Sequence, residues 1–594
     1  MANDEKNFKS FKDLLRSRQD PDATPEPEAP AQPAAKDPGW TLETDVPLDL
    51  DELPDLGEAR SLDLVRGRPP AFGPMTHGPA PYRDPDSEEM QLLASFRCRT
   101  IFPQDVLDEV SNLPDDPAPE DYGPNVERVD LRNETIFTID GDDAKDYDDA
   151  IGIRELEDGN VEVGVHIADV GHYVRPGTAL DAEALTRATS VYVPGQVVPM
   201  LPEELSNGLC SLVPHRERLA YSVMMVFDPA GTRVSARVHK SVIKSVQRNT
   251  YRIVQELLDG VQSEETEAIR FLEEPLRLFQ RWTKTQQKLR DAKGSLRIQS
   301  KERKFVFDEA HEVVRIEDAA RYFSQTLIEE TALAANQAVG DLFRQRGLPT
   351  IYRVHPEKDA EEIASVAKAL EEHGIRVPKK DRLTGRDVGQ MIRAARRRPN
   401  AEALIQRIMG LVERAYYEVR DHEDVAEHWG LARKAYLHFT SPIRRYPDLV
   451  VHRWLHAIES RGEEAEAELK AEAFVDDLNE VAAHASMRAE LAEMTETAIS
   501  DLKICQFMEP HIGEVHEAKV LKVSRYGLVV HLAEFNVDGF LPARTIGERP
   551  QLKGATLSLR AGRRNFSFTE GYPVRVEIAE VDFIKLQIEL RLKA

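Results

Sequence analysis

The sequence predicts an α+β protein: a large mixed domain, a small and mainly helical module before it, and a small β-barrel of the OB type after it. Three observations carry this. At 594 residues the chain exceeds a single hydrophobic core and calls for three or four units. From residue 126 β-branched and polar residues alternate, and from about 265 the apolar period becomes helical. Beyond residue 511, five short strands separated by turn residues fall within about 80 residues, which suits a Greek-key barrel.

Taken in order, residues 1–38 contain DPDATPEPEAPAQPAAKDP, rich in Pro, Ala and acid. Such a stretch buries too little apolar surface to offset its ordering entropy, and it reads as disordered apart from a short helix at 7–17. Residues 39–125 stay rich in Pro and Asp, with short helices expected near 87–99 and 103–112. NVERVDLRNETIFTID then reads as strands ending at Asp140. VEVGVHIADVGHYV follows, with Val161, Val163, Val165 and Ile167 on one face. Helical periodicity fills 265–345 and returns at 357–374, 400–424, 446–461 and 464–508. Residues 126–510 therefore read as one domain and 511–594 as the barrel, with no fixed-period repeat.

Charge is uneven. The net is −26, from 78 Lys and Arg against 104 Asp and Glu, which argues against a protein that coats nucleic acid over its whole surface. Residues 1–60 carry 15 acids and 7 bases, whereas 512–594 carry 10 acids and 13 bases. A basic cluster, RVPKKDRLTGRDVGQMIRAARRR (376–398), is either a solvated helical surface or a phosphate-tracking wall. No run approaches the roughly 18 apolar residues that span a bilayer, so no membrane partner is expected. The first residues, MANDEKNFKSFKDLLRSRQD, lack the apolar run of a secretory signal. Cys98, Cys210 and Cys505 lie far apart and form no metal or disulfide pattern. A cytoplasmic protein is expected.

The most informative segment is TIDGDDAKDYDDA, residues 138–150. Asp140, Asp142, Asp143, Asp146, Asp148 and Asp149 crowd into it. Like charges at this density must splay into water or gather cations. Hard oxygen donors without His or Cys favour Mg²⁺, with Mn²⁺ as the alternative, over zinc. A solvated acidic loop is the competing reading. An EF-hand loop fails, because Ala144 and Lys145 stand where an acid and the turn glycine are required. Apolar strands flank the cluster and set it against a core rather than on a tail.

TIDGDDAKDYDDA, GVHIADVGHYV, TSVYVPGQVVPMLPEELSNGLCSL and HFTSPIRRYPDLVVHR together resemble the RNase II/RNase R (RNB) family of 3′→5′ exoribonucleases. The resemblance covers roughly 126–510, and the terminal barrel resembles an S1 RNA-binding domain. It implies Mg²⁺-dependent, processive hydrolysis of single-stranded RNA to nucleoside 5′-monophosphates, by a monomer. It places the family's catalytic aspartates on Asp140, Asp146, Asp148 and Asp149, with Asp140, Asp146 and Asp149 on the metal and Asp148 most critical for the chemical step. Such chemistry needs an activated water and a stabilised leaving oxygen, which two divalent ions about 4 Å apart can supply.

The resemblance assigns further residues. Arg444 would contact the scissile or adjacent phosphate; Thr440, Ser441 and Pro442 read as a helix start, with Arg444 in the first turn. The alternative for Arg444 is an ordinary ion pair with the aspartates. Tyr192 would stack on the terminal base, which tolerates every sequence. Tyr251 and Glu329 would contact sugar and sense the 2′-hydroxyl. Glu496 would stand near the active site. In the barrel, Tyr526, Phe535, Phe540 and His531 would stack bases or pack the strand core. The family's second clamp aromatic falls on Ile298, so Phe305 or Phe307 substitutes or the clamp is one-sided. Family members commonly carry two cold-shock-type barrels before this domain. The preceding residues here suit a different module, with a helix-turn-helix-like nucleic-acid binder as the candidate.

Overall fold

The structure is a computed structural model that describes residues 87–122, 128–293 and, with short gaps, 295–593. The expectations for 1–38 and for most of 39–125 lie outside the described residues, as do Ile298 and part of the basic cluster. Among the described residues no helix is long and apolar enough to cross a membrane.

A five-stranded sheet forms the centre, in the order Val129–Asp130, Arg233–Lys244, Glu217–Phe227, Val161–Ala168, Asp149–Glu155. All its pairings are antiparallel except that of Val129–Asp130. Val163, Val165 and Ile167 lie on one face as the alternation requires, fully buried with Tyr221, Val223 and Met225. The helices Tyr251–Asp259, Glu273–Lys293 and Phe323–Arg346 cover that face. The strand Val161–Ala168 is buried on its other face too, so its polar residues are satisfied internally. His166 Nδ1 meets Ser222 Oγ at 2.7 Å, and burial pushes the imidazole down to about 3. The second apolar cluster holds Ala150, Ala168 and Leu219 together with the helices Gln104–Ser111 and Ala179–Arg187.

The helix Ser87–Ser95 packs its Met90 and Leu93 with Ala492 and Ile499 of the long helix Glu472–Met508. Two elements break the expected helical stretches. A β-hairpin, Arg303–Phe307 with Val313–Asp318, stands between two long helices, and Tyr416–Arg420 is a strand paired with Thr350–Val354. Both pack against larger bodies that supply the missing contacts. The terminal unit is a closed five-stranded barrel, Val515–Ser524, Gly527–Leu532, Val537–Pro542, Gln587–Lys593 and Pro573–Asp582. Inserted in it is a further three-stranded sheet, Glu548–Lys553, Thr556–Ala561 and Arg564–Phe568.

One buried charge group fastens the sheet. Asp169, just past the strand Val161–Ala168, receives Arg128 at 2.6 Å and Lys240 at 3.0 Å. Burial alone would raise its carboxyl, but the Lys240 and Arg128 charges outweigh it and hold the group below the usual carboxylate range. Asp169→Asn leaves two buried cations uncompensated and is expected to cost about 3–5 kcal/mol of stability at neutral pH. The carboxyl is depressed in the native state, so its contribution is present above about pH 4 and fades below it. Denaturant midpoints of the two proteins should converge as the pH falls.

Candidate active site

Four aspartates meet where two strands end and begin. Asp140 closes the strand Thr138–Asp140, paired in parallel with Arg248–Thr250. Asp149 opens the strand Asp149–Glu155, opposite Ile167. The loop between them is pinned by Ser211, whose Oγ donates to the Lys145 carbonyl at 2.7 Å and accepts from the Tyr147 amide at 3.0 Å. Arg248 donates to the carbonyls of Gly141 at 2.6 Å and Asp142 at 2.9 Å. Held this way, the loop exposes Asp142 and Asp143, buries Asp148, and leaves Asp140, Asp146 and Asp149 half-buried.

Asp148 Oδ1 accepts the Ile443 amide at 2.9 Å, and its Oδ2 lies 3.7 Å from Arg444 Nε. Arg444 also donates to Ser441 Oγ at 3.2 Å and stands 6.0 Å over the Tyr192 ring. Its side chain remains 42% exposed, so the loose ion pair leaves a cationic face open. The helix behind it starts at Tyr446, with Pro447 in its first turn, and not at Thr440–Pro442. Residues 441–445 form a separate turn, the amides of Arg444 and Arg445 donating to the Ser441 carbonyl at 3.3 and 3.0 Å. Arg444 thus precedes the helix, and no conflict with the dipole arises. Asp448 occupies the first turn, as the dipole favours, and takes both arms of Arg445 at 2.7 and 2.8 Å. Arg445 is therefore structural. So are His452, bonded to the Phe439 carbonyl at 2.8 Å, and Arg453, bonded to Asp181 at 2.7 Å.

The electrostatics are under-compensated. Burial and the neighbouring Asp149 charge push Asp140 up to about 7, and burial pushes Asp149 up to about 6 against the opposing Arg444 and Arg445. Burial also raises Asp146, and it raises Asp148 well above the carboxylate range. Asp140 Oδ2 is buried with no hydrogen-bond donor. Hard, crowded, unsatisfied carboxylate oxygens fit a divalent cation. Among the described residues no three such side chains are already set as a closed cage.

Tyr192 lies on the hairpin Val191–Val193/Gln196–Val198 and is 38% exposed. Its hydroxyl donates to Asp146 Oδ2 at 3.3 Å and its amide to Glu496 Oε1 at 2.9 Å. Glu496, on the long helix, thus reaches the site by holding this hairpin; burial raises its carboxyl. Tyr251 opens its helix directly after Thr250, where burial and the charges of Asp149 and Asp140 raise its hydroxyl. Glu329 is engaged by Arg290 at 2.8 Å, which also holds the buried Glu330. Among the described residues Glu329 makes no hydrogen bond or ion pair to the aspartates.

On the barrel, Tyr526 stands 65% exposed at a hairpin tip with Arg525 4.6 Å from its ring. Phe535 is enclosed by Phe507, His511 and His516, so it forms a joint between barrel and long helix. His531 is tied to Asp538 at 2.8 Å, and Phe540 is half-buried.

Sequence reasoning missed the Ile443 amide, which no side chain announces, and Arg248, which belongs to no motif. Ser211 lies inside the quoted SNGLCSL segment but was not singled out. It also missed how the hairpin is buttressed. Gly195 turns the Tyr192 hairpin at φ +85, and a Cβ there would lie 2.8 Å from His311 Nε2 and 3.0 Å from Phe307 Cζ. Phe307 and His311 stack at 4.8 Å, so Phe307 reaches the hairpin while Phe305 packs on the barrel core. Gly195→Ala adds a left-handed backbone penalty of about 1–2 kcal/mol to that clash. It is expected to lower the melting temperature, and a variant as stable as the parent would show that the buttress yields freely.

Comparisons with known proteins match both larger units of the chain. A family model for the RNB domain matches residues 128–461, and one for the S1 RNA binding domain matches 509–592. The chain is 34% identical over 518 residues to Ribonuclease R 1 of Lactococcus lactis, covering 86% of this chain and 62% of that protein. It is 35% identical over 536 residues to Ribonuclease R of Thermotoga maritima, covering 86% and 73%. The chain thus spans less than two thirds of the length of the Lactococcus relative. Among solved structures, Mycoplasma genitalium RNase R in complex with double-stranded RNA matches at TM-score 0.71 and 25% identity, covering 86% of this chain and 84% of that one. The same protein in complex with ribose methylated single-stranded RNA shares the fold at TM-score 0.74 and 24% identity, covering 86% and 78%. An RNB match over more than half of the sequence, on a fold that gathers the aspartates of that match at one place, makes this chain a member of the RNB family.

Proposed function

We propose that this chain is an exoribonuclease that hydrolyses single-stranded RNA from its 3′ end and releases nucleoside 5′-monophosphates. The observation that carries the reading is the group of under-compensated carboxylates beside an open guanidinium and an open aromatic ring. The ribonuclease R relatives support it. Residues 126–510 act as the catalytic unit and 511–594 as an RNA-binding barrel, in a cytoplasmic monomer whose three cysteines are free thiols.

Asp140, Asp146 and Asp149 would hold Mg²⁺, which binds through a few carboxylates together with substrate phosphate and supplies an acidified water and charge on the leaving oxygen. Asp148, the aspartate most critical for the chemical step, is kept in a fixed orientation by the Ile443 amide and Arg444. Arg444 offers its open face to that phosphate, stabilising charge that grows as the linkage breaks. Tyr192 holds the last base by stacking, and Asp146 and Glu496 fix the hairpin that presents it. Tyr251, beside Asp140, meets the sugar, where the 2′-hydroxyl distinguishes RNA from DNA.

A time course on 5′-labelled single-stranded RNA tests the reading: a ladder shortening from the 3′ end to a short limit product is expected, and internal cuts or equal digestion of DNA would overturn it. Chelation of divalent ions should stop the ladder and Mg²⁺ should restart it. Asp148→Asn should abolish hydrolysis while filter binding to RNA persists. Arg444→Ala should raise the barrier by about 2–4 kcal/mol; an unchanged rate would assign Arg444 to packing.

A further inference from the structure

We infer that the three-stranded sheet inserted in the barrel is a binding face for the sugar-phosphate backbone of double-stranded RNA. The claim rests on the proposed activity only for the identity of the nucleic acid. The sheet leaves the barrel after the short helix Ala543–Ile546 and returns at Pro573. Its register sorts its side chains cleanly. Leu557 pairs with Phe568, Leu559 with Phe566 and Ala561 with Arg564 on one face; Leu557, Leu559 and Phe568 are buried in the barrel core, and Arg564 stands at the exposed end of that face. The opposite face pairs Lys553 with Thr556, Gln551 with Ser558, Ser558 with Ser567, and Arg560 with Asn565. The Ser558 and Ser567 hydroxyls lie 3.1 Å apart.

The charge of this insert opposes that of the chain. Residues 543–569 hold six Lys and Arg against one acid, in a protein whose net charge is −26. A merely solvated face would carry the acids that dominate elsewhere. Arg544 is paired with Glu589 at 3.2 Å. Arg549, Lys553, Arg560, Arg563 and Arg564 are exposed and make no ion pair among the described residues. Glu548, the sole acid, faces Arg560 in register without an ion pair, and Arg560 Nε donates instead to the Gly562 carbonyl at 3.1 Å.

The side chains select the ligand. Hydroxyls, amides and cations are the groups that contact phosphate and the 2′-hydroxyl. No aromatic ring lies on the outer face, so it has no platform for unstacked bases, which single-strand binding surfaces use. Strands of about six residues give a surface roughly 20 Å long and 10 Å wide. An A-form duplex presents a wide, shallow minor groove rimmed by phosphates and 2′-hydroxyls, which suits such a surface. A helical stem lying ahead of the threaded 3′ tail would rest here, apart from the aspartates.

The test compares the full chain with its fourfold variant R549Q/K553Q/R560Q/R563Q on a blunt RNA duplex of about 20 base pairs, across a salt series. Duplex affinity should fall about tenfold or more at 0.1 M salt, and the slope of log K against log salt should become shallower by about three to four. The matching Arg→Lys variant, R549K/R560K/R563K, should keep the affinity. Unchanged duplex affinity and slope would overturn the assignment. So would an equal loss for a single strand of the same length. Should the fourfold variant melt early, K553Q/R560Q reads the same slope with a change of about two. Hydrolysis of a short single-stranded oligonucleotide, followed in parallel, should match the parent. Its absence from both proteins would defeat the proposed activity without touching the duplex result.

Discussion

Everything at the site depends on a cost the fold accepts: four carboxylates drawn into or against a core with too few cations to balance them. Removing a charge from water is expensive unless it is paired. Here the sheet does not relieve that cost but positions it. The register that starts one strand at Asp149 and ends another at Asp140 fixes the two outer acids. Backbone donors and Ser211 fix the loop between them. Asp148 pairs loosely with Arg444, but its one close hydrogen bond comes from a peptide N–H, a partner that no substitution at position 443 removes except proline.

The contrast with Asp169 shows what a structural solution looks like in the same sheet. That carboxylate is as buried as Asp148, but two cations bind it within hydrogen-bond distance and it lies below the carboxylate range rather than above it. The same residue type at the ends of neighbouring strands thus serves two purposes, separated by whether the protein supplies the countercharge. A residue's burial alone does not say which purpose it serves; the donors around it do.

Much of this was legible in the sequence. The density of aspartates between apolar strands pointed to the site because such charges cannot share a core margin without a reason. The barrel was legible because turn residues recur at short intervals. What escaped was set by tertiary contact. RKFVF and VVRIED hold strand residues, but they lie between long helices, and only packing against the barrel core decides their conformation. The helix start at Tyr446 was displaced from Thr440–Pro442 because Pro447 fits the first turn equally well and Asp448 supplies the acid. Phe535 falls where S1 domains stack bases or pack their strands, and the structure sets it instead against Phe507 and His511 at the end of the long helix. The inserted sheet was invisible because its strands are polar on one side and short.

The hairpin Arg303–Phe307/Val313–Asp318 joins two places that the chain separates by hundreds of residues. At its base Arg303 binds Asp538 at 2.7 Å and Asp318 receives Asn536 at 3.0 Å. Near its tip Phe307 and His311 press on Gly195, three residues from Tyr192. A stiff beam clamped at both ends carries load in either direction. A pull on the barrel would therefore arrive at the Tyr192 hairpin as a tilt, and slack in the barrel's seating would be felt there as lost support.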